Sequence, residues 1–436
     1  EKQKIKNSIK KTLNKKITKN KFKKRLDIFE QFQNKNLFPE NYSLISSPGI
    51  YRRMGWDHTT QQSKKIEFFI EPIIDELIKS DTSILLLDLD YTFIGNTLHL
   101  EERLSEEIPC IPVEFLLKQP KSSQTISNLK KLQESIQKMK NENMHNAFMY
   151  RGVSLWNYLK PVFDEIFFEP NLPTYLHLID VATNFFKTHP PKVLIQVYES
   201  GPYAKSLQIA ASKYNIRTIG VQHGLIPTDT PDYIFKELQS ATLKEGNMIP
   251  DYTFVFGDYY KKILNEISVY PYDSVISTGH PSFFNLNEIQ KSLDLEKILK
   301  KYDIKNKKII LFPLSFRFSY VENSPDKIIL NELYKIFKNK PETIILVRPH
   351  PGDDFSQTIL DKICPESNYI CSTTSLFEDL TLCDIVIQSP ISTVSSEAVI
   401  FEKPVFFVNV LEKNISENMD PVYHKLLEHY LYKNIL

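Results

Sequence analysis

Three short segments of this chain gather side chains suited to holding phosphate. Pro313, Ser315 and Arg317 follow the apolar run Ile309–Phe312, and Arg348, Pro349, His350 and Pro351 follow Thr343–Val347. Gln388, Ser389, Pro390 and Ile391 follow Ile385–Ile387, and Ser392, Thr393, Val394, Ser395, Ser396 and Glu397 then open a helical stretch. Arginine forks onto phosphate oxygens, and His350 can donate a hydrogen bond to them. A helix start rich in Ser and Thr offers hydroxyls, free backbone N–H groups and the positive end of the dipole. Glu397, one turn in, is placed to accept from ribose hydroxyls. Singly, each has a plain structural reading: Ser392 an N-cap, Arg348 half of a salt bridge, His350 a stiff turn residue. Their recurrence at three strand ends favours a nucleotide-phosphate site. A second group lies earlier, with Glu199, Ser200 and Gly201 after Val193–Val197, and Gln222, His223 and Gly224 after Thr218–Val221. His223 is suited to general acid/base work, with Glu199 sharing that task or orienting the imidazole. The structural alternative is a histidine that only caps its turn.

These residues need elements that present them together. From Val193 onward the pattern alternates short, continuously apolar strands with helices, the mark of parallel sheets covered on both faces. A polar, charged stretch at 285–306 divides two such sets. The expected fold is α/β, with two Rossmann-like domains facing across a cleft and a basic helical extension ahead of them. The expected boundaries are 1–60 for the extension, 61–285 for an acceptor domain and 286–436 for a nucleotide-donor domain. Ligands in such sheets sit at the carboxyl ends of the strands. Before Val193, the spacing of Phe68, Phe69, Ile73, Ile74 and Leu77 predicts a helix over about 62–80, and 84–87 reads as a buried strand. Residues 120–145 read as a polar helical hairpin.

The segments GVQHG (220–224), ILFPLSFR (310–317), LVRPHP (346–351) and CDIVIQSPISTVSSEAVIFEKPVFF (383–407) resemble the GT-B glycosyltransferase superfamily. The nearest branch holds capsule-polysaccharide transferases, polysialyltransferases and CDP-glycerol glycerophosphotransferases. The resemblance spans roughly 193–410. It implies His223 as the catalytic acid or base, and Arg317, His350, Ser392, Thr393, Ser395 and Ser396 on the donor phosphates. It implies Glu397 on the ribose. Two departures from the glycerophosphotransferase pattern, Ser315 for the usual Thr and no acidic residue before the Ser-Ser pair, place a UDP-, CMP- or CDP-linked sugar ahead of a CDP-polyol as the expected donor. The expected acceptor is a cell-surface glycan or glycolipid. Such chemistry needs no bound metal or cofactor, because Arg, His and a helix terminus stabilise the leaving nucleotide.

Four rival readings stand beside this one. A sugar-nucleotide 2-epimerase shares the fold, a CDP-polyol phosphotransferase shares the branch, and a non-catalytic glycan-binding subunit would keep the site without turnover. Asp88-Leu89-Asp90-Tyr91-Thr92 after an apolar strand resembles the first motif of haloacid-dehalogenase-type phosphatases, with Asp88 as nucleophile and Asp90 as acid/base.

The 436 residues carry a net charge of only +1, yet residues 1–26 hold twelve Lys/Arg against Glu1, leaving the remainder near −10. Ile5, Ile9, Leu13 and Ile17 recur every four residues in that arm, a thin apolar stripe. Such an arm either lies on an anionic membrane surface or is simply solvated. No aromatic interleaving or reader motif supports nucleic-acid binding. No apolar run approaches the ~18 residues of a membrane span, and the four cysteines form no metal or redox pattern. The expected location is cytoplasmic, peripheral on the inner face of the membrane.

Overall fold

A computed structural model describes residues 20–32, 38–57, 60, 62–89, 97–141, 144–167, 171–226, 228, 230, 232–234, 249–268, 270–284, 286–315, 325–350, 355–365, 368–389 and 393–408. Sixteen strands run in chain order: β1 Ser43–Pro48, β2 Arg52–Asp57, β3 Gln62–Glu67, β4 Ile84–Leu89, β5 Cys110–Pro112, β6 Met149–Tyr150, β7 Val153–Ser154, β8 Val193–Val197, β9 Arg217–Val221, β10 Tyr252–Val255, β11 Val275–Ser277, β12 Lys308–Pro313, β13 Thr343–Arg348, β14 Tyr369–Cys371, β15 Ile385–Gln388 and β16 Val405–Phe407.

The continuous apolar strands assemble as their pattern requires. One seven-stranded sheet has the order β11-β10-β9-β8-β1-β4-β5, and one five-stranded sheet has the order β14-β13-β12-β15-β16. Every pairing within both is parallel. Leu44, Ile45, Leu85, Leu87 and Leu194 fill the first core with Leu178 and Phe186 from the helix Asn171–Thr188. In the second sheet, Leu311, Leu346 and Val386 face one layer of helices, while Ile310, Phe312, Ile345 and Val347 face the other. The two Rossmann-like units expected from the strand–helix rhythm are therefore present.

Two expectations are corrected. The first sheet begins before residue 61, because β1 stands between β8 and β4. Its Ser-rich sequence hides a strand whose six residues are all buried. Residues 20–31 are helical, and Ile28 and Phe29 join the first core, so the end of the basic arm is docked on that domain. Residues 1–19 of the arm lie outside the described residues. The second correction concerns 62–80. Residues 62–67 form β3, paired antiparallel with β2, and the helix starts only at Glu71. Gln62-Ser63-Lys64-Lys65 alternates in exposure as a strand does, and Phe68–Ile70 turns the chain into the helix.

That hairpin matters for the site. Trp56 of β2 is buried with Ile298, Leu376 and Leu380 in the core of the second sheet. Ser63 donates from its hydroxyl to Ser375 Oγ at 2.9 Å. A hairpin from the first half of the chain is thus seated on the helix Leu376–Leu382 of the second.

Candidate active site

The register of the first sheet brings the first pair of residues together. Val197 of β8 pairs with Val221 of β9, so Glu199 and His223, each two residues further on, leave neighbouring strands at the same level. Tyr198, between them and the strand, holds φ at 62°, a left-handed conformation that bulky residues avoid and that costs on the order of 1–3 kcal/mol. The bend drops Glu199 into the sheet end, where it is 0% exposed. Gly220 makes room for it, since a Cβ there would sit 2.7 Å from Glu199 Cγ. Gln222 fixes the next turn. Its amide donates to the Gly224 carbonyl at 2.7 Å and accepts from the Phe256 N–H at 2.8 Å.

Tyr233, which the sequence reading missed, joins the pair. Its hydroxyl donates to Glu199 Oε2 at 3.2 Å and lies 3.5 Å from His223 Nδ1. With the tyrosine proton committed to Glu199, the phenol oxygen can accept from Nδ1–H, which leaves the Nε2 lone pair for a substrate proton. Tyr198 meets the imidazole edge-on at 4.8 Å and Tyr51 lies at 5.4 Å. Burial pushes His223 down to about 4, so the ring is neutral at pH 7. Burial pushes Glu199 up to about 7, against its own hydrogen bonds and the nearby Lys205 ammonium. Glu199 Oε1 is buried without a partner.

The second sheet places its strand ends likewise. Pro313 pairs with Arg348, and the Leu311–Val386 register sets Gln388 level with them. Arg348 behaves partly as its structural reading foresaw: Nη1 donates to Asp379 at 2.6 Å and to the Thr374 carbonyl at 2.9 Å. Asp379 is fully buried and also takes the Ser372 and Thr374 hydroxyls. His350 is half-buried just past β13. Asp326, another residue missed from sequence, ties two strand ends together, accepting from the Ser315 N–H at 2.6 Å and from the Ser389 hydroxyl.

The helix expected from Thr393 runs Val394–Ile400. Thr393 stands at its N-cap in helical conformation and makes no side-chain capping bond. Ser395 and Ser396 are half-buried on the first turn, and Glu397 is 1% exposed with Oε2 unpartnered. Burial pushes Glu397 up to about 7, opposed by the positive charges of Arg53 and Arg348. Arg317 and Ser392 lie outside the described residues. Among the described residues, no group of three or more His, Cys, Asp or Glu is placed to hold a metal ion.

Aromatic contacts run from His223 to Arg53. Tyr51 packs on Phe69 at 5.2 Å, and Phe69 and Phe68 carry the Arg53 guanidinium at 5.0 and 3.7 Å from their ring centres. Arg53 in turn feels the charges of Glu397 and Arg348. A run of contacts thus leads from His223 through Tyr51 and Phe69 to Arg53, which feels the charge of Glu397.

The phosphatase motif is used differently. Asp88 is 0% exposed and salt-bridged to both Arg25 and Arg103. Burial works to raise its pKa, but the two guanidinium groups outweigh it and hold it below the usual carboxylate range. A carboxylate committed to two buried arginines is not a free nucleophile. Asp90 lies outside the described residues.

A family model described as CDP-glycerol:poly(glycerophosphate) glycerophosphotransferase matches residues 127–413. The chain belongs to this family. The match contains β8 to β16 and every residue named from the sequence for the nucleotide-transfer site. No curated protein sequence matches the chain. Among solved structures it is similar to the S. aureus MnaA–UDP complex, with TM-score 0.48, 11% identity, and 89% of this chain and 87% of that one covered. It is similar to a UDP-GlcNAc 2-epimerase from Neisseria meningitidis bound to UDP-GlcNAc, with TM-score 0.46, 14% identity, and 90% and 93% covered. It is also similar to the wall teichoic acid polymerase TagF, with TM-score 0.44, 14% identity, and 95% and 81% covered.

Proposed function

We propose that this transferase moves a unit from a nucleotide-linked donor to a hydroxyl of a surface polymer or glycolipid, with His223 as the base. The observation that carries this is the His223–Tyr233–Glu199 group, which leaves a neutral imidazole at a strand end. In the reaction the acceptor oxygen attacks the donor and the bond to the leaving nucleotide breaks. The hydroxyl proton passes to His223 Nε2. Charge developing on the leaving phosphate is met by Arg317, Arg348 and His350, and by the hydroxyls of Ser392, Thr393, Ser395 and Ser396. Glu397 takes the ribose hydroxyls.

Family membership reorders the donors. A CDP-linked polyol such as CDP-glycerol comes first, transferring a polyol phosphate and releasing CMP. A nucleotide sugar comes second. The test offers CDP-glycerol, UDP-sugars and CMP-sugars in parallel with a glycerophosphate oligomer or a glycolipid acceptor, and measures nucleotide release. Release of CMP only with CDP-glycerol selects the first reading, and release only from a sugar donor selects the second. Turnover that persists undiminished in a His223→Ala variant removes His223 from the mechanism.

We infer in addition that an anionic membrane surface is a partner. No described helix is long and apolar enough to cross a membrane. Met149, Tyr150 and Val153 on the β6–β7 hairpin and Tyr158 just beyond it are exposed, Tyr158 by 76%, and Arg151 and Lys160 stand among them. Apolar side chains ringed by cations suit an interface with anionic lipid. Flotation with phosphatidylglycerol vesicles tests this: it should weaken in a Met149→Ser, Tyr158→Ser double variant, and recovery unchanged from wild type sinks this part.

A further inference from the structure

Arg53 has the character of a ligand-binding residue that nothing in the sequence motifs singles out. Its guanidinium carbon lies over Phe68, 3.7 Å from the ring centre, and near Phe69 at 5.0 Å. Among the described residues it makes no hydrogen bond, and Nε is buried without a partner. Glu397, whose charge Arg53 feels, likewise has a buried, unpartnered Oε2. The two groups feel each other's charge, yet no hydrogen bond or ion pair joins them. A buried nitrogen or carboxylate oxygen without a hydrogen bond is costly, and opposite charges normally close on each other. Here the scaffold keeps them apart. Arg53 is pinned by the phenylalanines and by Trp56 three residues on, which is locked in the core of the second domain. Glu397 is held by its helix.

A donor-only fork and an acceptor-only carboxylate that feel each other's charge without bonding suit a ligand with anionic oxygens at one end and hydroxyls at the other. A ribose bearing a phosphate has that order of groups. Arginine matches phosphate geometry through its planar fork, and an aromatic platform fixes the plane of that fork.

We propose that Arg53 binds a phosphate of the donor nucleotide while Glu397 takes its ribose hydroxyls, so that the β2–β3 hairpin of the first domain completes the nucleotide site of the second. This rests on the reading of Glu397 as part of a nucleotide site. It makes the site a two-domain one. The first domain, otherwise reserved for the acceptor and for His223, contributes directly to donor affinity.

Calorimetric titration of CMP, CDP, UMP and UDP, and of the nucleosides cytidine and uridine, tests it on the full chain, with circular dichroism and melting curves as a check on folding. Arg53→Met should weaken the nucleotide that wild type binds by about tenfold to a hundredfold, the size expected for charge-assisted hydrogen bonds, and leave nucleoside affinity unchanged. Glu397→Gln should weaken nucleotide and nucleoside alike. Nucleotide affinity within twofold of wild type in Arg53→Met overturns the proposal, as does an equal loss for nucleoside and nucleotide, which a purely structural role would give. Should Arg53→Met unfold, Arg53→Lys decides: a loss confined to phosphorylated ligands supports the proposal and unchanged binding overturns it. If wild type binds none of the four nucleotides while melting normally, the nucleotide reading of Glu397 falls and takes Arg53 with it. That outcome is distinct from failure of the arginine alone.

Discussion

Two clusters of buried charge stand at strand ends of this molecule, and they differ in how completely they are satisfied. Around β4, Asp88 bridges Arg25 and Arg103. Arg103 clasps Glu67 with two bonds of 2.7 and 2.6 Å, and Arg25 adds Glu114 at 2.9 Å. Around the cleft, Arg53 bonds to nothing among the described residues, and Glu199 and Glu397 each keep a buried oxygen without a partner. Both clusters carry a desolvation cost, but the first offsets more of it within the fold, through two buried arginines shared among Asp88, Glu67 and Glu114. The contrast separates structural from functional charge better than residue type does. An Asp-x-Asp after an apolar strand looked like catalytic machinery and is a lock. An unremarked arginine in a hairpin is poised for a ligand.

The comparison breaks most severely if the lock is dispensable. Arg103→Met leaves Asp88 and Glu67 buried beside one fewer cation, and should destabilise the protein by roughly 3–5 kcal/mol. Denaturant unfolding measures this, and a loss under about 1 kcal/mol would place the network among weakly contributing pairs. The cleft predicts the opposite signature. His223→Ala should lower kcat by about a hundredfold to ten-thousandfold while stability and donor affinity hold. A His223→Ala protein that melts far below wild type while retaining turnover would turn the imidazole into a structural cap.

The parts legible in sequence were those written locally. Continuous apolar strands between helices announced both sheets, and the strand-end rule picked out Glu199, His223 and Glu397 because each lies within nine residues of its strand's last residue. What stayed hidden is set by distance along the chain. Tyr233 reaches Glu199 across 34 residues and Ser63 reaches Ser375 across 312. β1 was overlooked because Ser43, Ser46 and Ser47 read as loop, although all three are buried between parallel neighbours. The hairpin was overlooked because Phe68, Phe69 and Ile70 mimic the start of a helix that begins one residue later. Arg25 was counted with the basic arm, since composition cannot show that this cation turns inward. Arg53 carried no signal at all, since its meaning comes from Phe68, Trp56 and Glu397, three parts of the molecule that only folding assembles.

The smallest expected effect is the most discriminating within the cleft. If Glu199 acts by accepting the Tyr233 hydrogen bond as a carboxylate, the interaction follows its ionisation, which burial places at about 7. Its raised pKa means the charge is lost as pH falls through about 7. His223, lowered to about 4, gains charge only as pH falls through that value. At saturating donor, where Glu397 is covered by ligand, kcat should therefore rise with pH through about 7 and show a second loss only in more acid solution. Glu199→Gln should remove the upper limb and lower the plateau by roughly fivefold to tenfold, the contribution of one buried hydrogen bond. Tyr233→Phe should reproduce both changes, because it cuts the same link from the other side. If either variant loses activity yet keeps the limb near 7, the carboxylate serves packing, and His223 works without the tyrosine between them.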